Sequence, residues 1–177
     1  KAFTQMLQRH FERLGDASSS LYLSKMDAQV DKLTKLVVNL LDVTRIRAGK
    51  LELHKDVFCF DDLLEETIEE MQRIGKGHRI LKEGKVSKYV FADRNRINQV
   101  LVNLISNAIK YSPGSDKIIV RVKLEKGYIV VIVQDFGIGI SKENQERIFK
   151  PFYRVDIQKF ENFPGLGLGL YISTQIA

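Results

Sequence analysis

From Leu23 onward the apolar residues recur at Leu23, Met26, Val30, Leu33, Val37 and Leu40, with Thr44 continuing the series. Steps of three and four held over about three heptads trace one stripe along a helix. A shorter stripe, Phe3, Leu7, Phe11 and Leu14, precedes it, and Gly15-Asp16-Ala17-Ser18-Ser19-Ser20 separates the two with a turn and a helix-start signal. This pattern predicts a helical hairpin. Two helices with one stripe each cannot bury both stripes, so the hairpin is expected to pair with a second copy as a four-helix bundle, making the protein a homodimer.

The pattern changes after Arg45 to Lys50, where Gly49 is placed to stop the helix. Residues 1–48 are therefore read as the hairpin and residues 49–177 as a second domain. Its pieces are an extended run Leu51 to Phe60, a helix from Asp61 or Asp62 to Ile74, and short strands at Arg79 to Leu81 and Tyr89 to Phe91. A helix from Asp93 to Tyr111 follows. Two longer strands, Lys117 to Leu124 and Tyr128 to Gln134, are joined by a tight Glu125-Lys126-Gly127 turn. A helix opening at Ser141 and another after Leu168 complete the series, which is an α+β layer arrangement.

With 177 residues, 44% of them hydrophobic, the chain has material for one full domain and a smaller element. The longest apolar run, Tyr128 to Val133, is far too short to span a bilayer, and the chain is expected in the cytoplasm. Cys59, the single cysteine, sits in the apolar run Val57 to Phe60 and reads as a buried strand thiol with no redox role. His10, His54 and His78 are too scattered to form a metal-ligand pattern with it. The net charge of +6 comes from basic residues interspersed with acids such as Glu65, Glu66, Glu69 and Glu70. One polyphosphate site explains that better than a nucleic-acid surface, which needs a concentrated basic stripe.

Three short motifs carry the chemistry. On the helix from Asp93, Ile97, Leu101, Leu104 and Ala108 share one face, while Asn103, Asn107 and Lys110 recur on another. Asparagine is disfavoured inside helices. Two of them one turn apart, followed by lysine, suit a face whose amide oxygens meet Mg²⁺ and whose ammonium meets phosphates; alone, the same trio would read as a solvated stripe. In DFGIGI, Asp135 ends a strand, and Gly137 and Gly139 let the backbone turn and approach a flat ligand. An ionised carboxylate only accepts hydrogen bonds, so Asp135 would take the exocyclic amine of adenine and repel the exocyclic oxygen of guanine. The letters DFG do not mark a eukaryotic-type protein kinase, because no HRD loop or VAIK-like strand precedes them. In PGLGLGL, Gly165, Gly167 and Gly169 expose backbone N–H groups at a helix start, while Leu166 and Leu168 are expected to anchor the loop in the core. Beside the asparagine helix this becomes a phosphate-facing lid.

Taken in order, these residues resemble the nucleotide-binding domain of sensor histidine kinases, in the superfamily that includes gyrase, heat-shock chaperone and mismatch-repair ATPases. The likeness covers nearly the whole chain. NLISNAIKYS is similar to the family's N box, DFGIGI to its G1 box, Phe149-Lys-Pro-Phe152-Tyr-Arg154 to its F box and PGLGLGL to its G2 box. The fold implied is an α/β sandwich of the Bergerat ATP-binding (GHKL) type behind a dimeric bundle. The resemblance implies that Asn107 coordinates Mg²⁺ with Asn103 close by, that Lys110 and Arg154 face phosphates, that Tyr111 flanks the nucleotide and that Asp135 holds adenine. Phe149, Gly137, Gly139 and the G2 residues would complete the ATP site. The hairpin Phe3 to Arg47 looks like the dimerisation and phosphotransfer element.

The sequence departs from the family at three places. The acceptor motif, a histidine followed by Glu and an Arg-Thr-Pro-Leu-like stretch, does not occur; His10, followed by Phe11-Glu12-Arg13-Leu14, reads as structural. Pro164 stands where glycine or threonine is usual, which implies a stiffer lid. The closing strands of the domain are also missing, so the chain reads as truncated at both ends. The expectation is a kinase core that binds Mg-ATP and, in its parent protein, transfers the γ-phosphoryl to a histidine for relay to the aspartate of a response regulator. A membrane anchor elsewhere in the parent is compatible with this. The alternatives are an ATPase acting as a conformational clamp and a nucleotide-binding dimerisation scaffold. The clamp would want a glutamate base on the N-box helix, and none occurs between Asp93 and Tyr111.

Overall fold

The computed structural model describes residues 2–75, 77–155 and 165–177, which divide into two compact units, 1–47 and 48–177. In the first unit α1 (Ala2–Arg13) and α2 (Ala17–Arg47) are antiparallel neighbours, the helical hairpin that the two apolar stripes predict. Gly15 turns the chain with φ +73°, and the amide of Asp16 closes back on the carbonyl of Phe11 at 3.0 Å. Asp16 then opens α2. Its two carboxylate oxygens accept from the amide (3.1 Å) and hydroxyl (2.6 Å) of Ser19, and these bonds hold its carboxyl below the usual carboxylate range. Thr4 Oγ1 donates to Asp27 Oδ1 at 3.0 Å and ties the helices together. Met26, Val30, Leu33, Val37 and Leu40 of the predicted seam are all exposed, Leu33 by 62%. His10 is exposed too, with its ring edge-on to Phe11.

In the second unit β1 (Asp56–Cys59) leads directly into α3 (Phe60–Ile74). Then come β2 (Arg79–Glu83), β3 (Tyr89–Ala92), α4 (Arg94–Tyr111), β4 (Lys117–Glu125), β5 (Tyr128–Gln134), the single turn α5 (Lys142–Gln145), a 3-10 turn Arg147–Phe149 and α6 (Gly169–Ile176). The strands form two sheets. β1 and β3 pair antiparallel, Phe58 opposite Val90, while β2, β4 and β5 lie in that order, with β2 parallel and β5 antiparallel to β4. Lys126 and Gly127 both have positive φ, 52° and 86°, the requirement of the tight two-residue turn whose twist matches the strands it joins.

α3 and α4 cover one face of the larger sheet, and Leu63, Leu64, Leu101, Ile105, Ala108, Ile118, Val120 and Val122 form the core between them. These positions follow from period: every second residue of β4 and every third or fourth of the helices points inward. Burial of each such leucine or isoleucine contributes about 1.5–3 kcal/mol. Ile105 is fully buried although the sequence face placed Leu104 there, and Leu104 is half-buried. α4 is fixed at its start by Asp93, whose Oδ1 accepts from the amides of Asn95 and Arg96 at 3.0 and 3.1 Å. The second oxygen of Asp93 accepts from the amide of His54 at 2.9 Å. At its end, the buried Ser112 donates through Oγ to the carbonyl of Ala108 and its own carbonyl receives Nε2 of His78 at 2.9 Å. Both ends of α4 are therefore anchored to other segments of the same unit.

Candidate functional site

α4 carries Asn103, Asn107, Lys110 and Tyr111 on its last two and a half turns, all half-buried. The anchors just described fix where these side chains stand. Lys110 Nζ lies 4.6 Å from the centroid of the Tyr111 ring, an arrangement that holds the ammonium by the aromatic face.

The DFGIGI segment leaves β5 and lies against the end of α4. The amide of Ile138 donates to the carbonyl of Tyr111 at 3.2 Å. A methyl group at Gly137 would come within 2.0 Å of that same carbonyl oxygen, so no side chain fits there. Gly139 has open space around it and φ +69°, so its requirement is conformational. The two glycines of this motif thus differ within the fold: Gly137 is required by the close approach of α4, and Gly139 by its backbone conformation. Asp135 is exposed at the strand end. Its Oδ1 accepts from the amide of Gly137 at 2.9 Å, which orients the carboxylate.

The glycine-rich segment meets α4 further up. A methyl carbon at Gly165 would lie 3.8 Å from Lys110 Nζ, and one at Gly169 would lie 2.1 Å from Asn103 Oδ1. Asn103 also donates through Nδ2 to Ser173 Oγ on α6, at 2.9 Å. Leu168 is buried and anchors this segment as expected; Leu166 is exposed and does not. Pro164 lies outside the described residues.

Phe149 and Arg154 bring the last motif to the same place. Arg154 Nη1 donates to the carbonyl of Gly165 at 3.2 Å, and the amide of Phe152 donates to the carbonyl of Gly167 at 3.1 Å. Gly167 has φ +70°, and a methyl there would reach 2.5 Å from the carbonyl of Tyr153. Phe149 is exposed. Two contacts that sequence reasoning missed stiffen this segment: Tyr153 Oη donates to Asn144 Oδ1 at 2.6 Å, and the guanidinium of Arg147 stacks on the Tyr153 ring at 4.6 Å. The DFGIGI and glycine-rich stretches thus meet the C-terminal half of α4, and the Phe149–Arg154 stretch is tied to the glycine-rich one.

Among the described residues no hydrogen bond engages the side chain of Asn107, and no group of three or more His, Cys, Asp or Glu side chains is placed to hold a metal. A half-buried amide without a protein partner offers a neutral oxygen, a donor suited to a hard cation that arrives with its own phosphate ligands.

The comparisons with known proteins address the same stretch. Residues 92–177 match the family of histidine kinase-, DNA gyrase B- and HSP90-like ATPases. The crystallised catalytic domain of the histidine kinase ThkA is 31% identical, with a TM-score of 0.56, over 71% of this chain and 80% of that one. The chain belongs to the histidine kinase family.

Among its histidine kinase relatives, the autoinducer 2 sensor kinase/phosphatase LuxQ of Vibrio harveyi is 33% identical over 154 residues, 80% of this chain and 18% of that protein. Full-length ShkA, crystallised in complex with AMPPNP, superposes with a TM-score of 0.72 at 26% identity, over 90% of this chain and 34% of ShkA. The chain spans about a fifth of the length of the curated histidine kinases and related proteins it matches first. Its second unit is a histidine kinase-type ATP-binding domain with the mixed α/β fold of that ATPase family. Among the described residues no helix is long and apolar enough to cross a membrane.

Proposed function

We propose that this chain is the core of a sensor histidine kinase that binds Mg-ATP at the end of α4 and, in its parent protein, passes the γ-phosphoryl to a histidine outside residues 1–177. The observation that carries this reading is the gathering of the other three motif segments around the end of α4, beside an Asn107 amide that no side-chain hydrogen bond engages among the described residues. Asn107 would supply the protein oxygen to Mg²⁺. The bound ion would neutralise charge on the phosphate oxygens. Lys110 and Arg154 would face the phosphates, Asp135 would accept from the adenine amine, and the amides of the glycine-rich segment would receive phosphate oxygens. AMPPNP in the ShkA complex is an ATP analogue, which supports the choice of nucleotide.

In the transfer an imidazole nitrogen forms a bond to the γ-phosphorus, the bond from that phosphorus to the bridging oxygen breaks, ADP leaves and the imidazole gives up its N–H proton. The residues named here position and neutralise; none of them forms a covalent bond. The exposed stripe of α2 would pair with a second copy, and the phosphohistidine would pass its phosphoryl to the aspartate of a response regulator receiver domain. We place the assembly on the cytoplasmic side of any membrane that its parent spans.

The test uses the full-length protein with Mg²⁺ and γ-labelled ATP. Label on the protein that survives alkali and is lost in acid is the expected result, because a phosphorus–nitrogen bond behaves in that way. ATP turnover that leaves the protein unlabelled would replace this reading with the conformational clamp, and neither label nor turnover would leave a scaffold.

A further inference from the structure

Ser173 belongs to none of the four motifs. It lies on α6 one turn beyond Gly169, is buried, and receives Nδ2 of Asn103 at 2.9 Å. The other end of the same amide stands over Gly169, where an added methyl would lie 2.1 Å from Oδ1 and 2.8 Å from Cγ. A primary amide has a donor end and an acceptor end of nearly equal shape, so its direction is set by its partners. Here a hydroxyl engages the donor end, and the missing side chain at Gly169 makes room for the acceptor end. Asn107, one turn further along α4, has no such partner among the described residues. Two asparagines that look equivalent in the sequence therefore stand in different situations.

We propose that Ser173 is a positioning residue of the nucleotide site. By holding the Asn103 amide it fixes the start of α6, and with it the glycine-rich segment, against α4. Asn103 is then a brace between two elements, and Asn107 is the amide presented to the ligand. This assignment rests on the ATP-binding reading and deepens it: the spacing between the phosphate-facing amides and Lys110 is set by a side-chain contact between α4 and α6.

The test compares Ser173→Ala, which removes the hydroxyl, with Ser173→Thr, which keeps it. By calorimetric titration, affinity for Mg-ATP falls about five- to tenfold in Ser173→Ala, the size of one hydrogen bond, and stays within about twofold of the parent in Ser173→Thr. In an Asn103→Ala background the loss of the hydroxyl has no additional effect, because both changes act through one contact. In the nucleotide-free protein, the side-chain NH₂ signals of Asn103, assigned by their absence in Asn103→Ala, lose protection from hydrogen exchange in Ser173→Ala. Unchanged affinity in Ser173→Ala, or an equal further loss in the Asn103→Ala background, overturns the proposal. If Ser173→Ala does not fold, Ser173→Val against Ser173→Thr, equal in shape, carries the same two outcomes. A parent chain that binds no Mg-ATP overturns the proposed function instead, and the exchange measurement alone then decides whether the brace exists.

Discussion

At the scale of single residues, Asp93 illustrates how one carboxylate can serve two segments. One oxygen caps α4 and the other holds the amide of His54, so the helix start and the connector before β1 share an anchor. Burial alone would push its carboxyl up, but the amides of Arg96, His54 and Asn95 and the charge of Arg96 together hold it below the ordinary carboxylate value. Since the folded value is the lower one, the stabilisation is fully present above the unfolded value, near about 3.9, and is lost as pH falls through the folded value. Asp93→Asn keeps a capping oxygen and loses the charge and the second acceptor, so at neutral pH it should be less stable by about 1 kcal/mol. Denaturant titrations at neutral and acid pH check this. The gap should narrow as pH falls below about 4, where the unfolded parent begins to take up the proton, and a gap independent of pH would refute the assignment. The asparagines show the limit of reading at this scale. The spacing singles out Asn103 and Asn107 as candidate site residues, but the Ser173 hydroxyl that engages Asn103 is 70 positions away, and nothing local to α4 signals it.

At the scale of elements, periodicity located the helices and strands, and the Lys126-Gly127 turn was readable because only a few residues tolerate positive φ there. The extended run expected from Leu51 becomes a strand only at Asp56, where pairing begins opposite Ala92, the last residue of β3. The parallel pairing of β2 with β4 joins residues 38 apart and left no trace in the local pattern. The glycines were legible as necessary, but the close approach of Gly137 to the end of α4 could not be read from the motif. The contrast with Gly139 is measurable. Gly137→Ala forces a carbon against a backbone carbonyl that cannot rotate away, and should destabilise the domain by about 3 kcal/mol or more. Gly139→Ala meets no neighbour and carries only the left-handed backbone cost of about 1–2 kcal/mol. Thermal or denaturant unfolding of the two variants should rank them in that order, and the reverse order would mean that the loop does not rest on Tyr111 as described.

At the scale of the whole molecule, the hairpin and the ATP-binding unit solve their burial problems differently. The second unit closes a core between α3, α4 and the larger sheet, whereas α2 leaves the stripe Met26, Val30, Leu33, Val37 and Leu40 in solvent. If that stripe pairs two copies, sedimentation at micromolar concentration gives twice the chain mass of 20.3 kDa, and Leu33→Glu with Val37→Glu returns the single mass while leaving ATP binding intact. A single mass for the parent would rule the pairing out. The convergence on α4 has a further consequence, for how this domain tolerates change in length. One residue inserted in the middle of α4 rotates every later side chain by about 100°, so Asn107, Lys110 and the Tyr111 carbonyl would leave their neighbours together. An insertion at the Lys126-Gly127 turn lengthens a β-hairpin tip where Gly127 has open space around it. The helix is the ruler against which the site is measured, and relatives that keep the site are free to vary the hairpin tip but not the number of residues in the ruler.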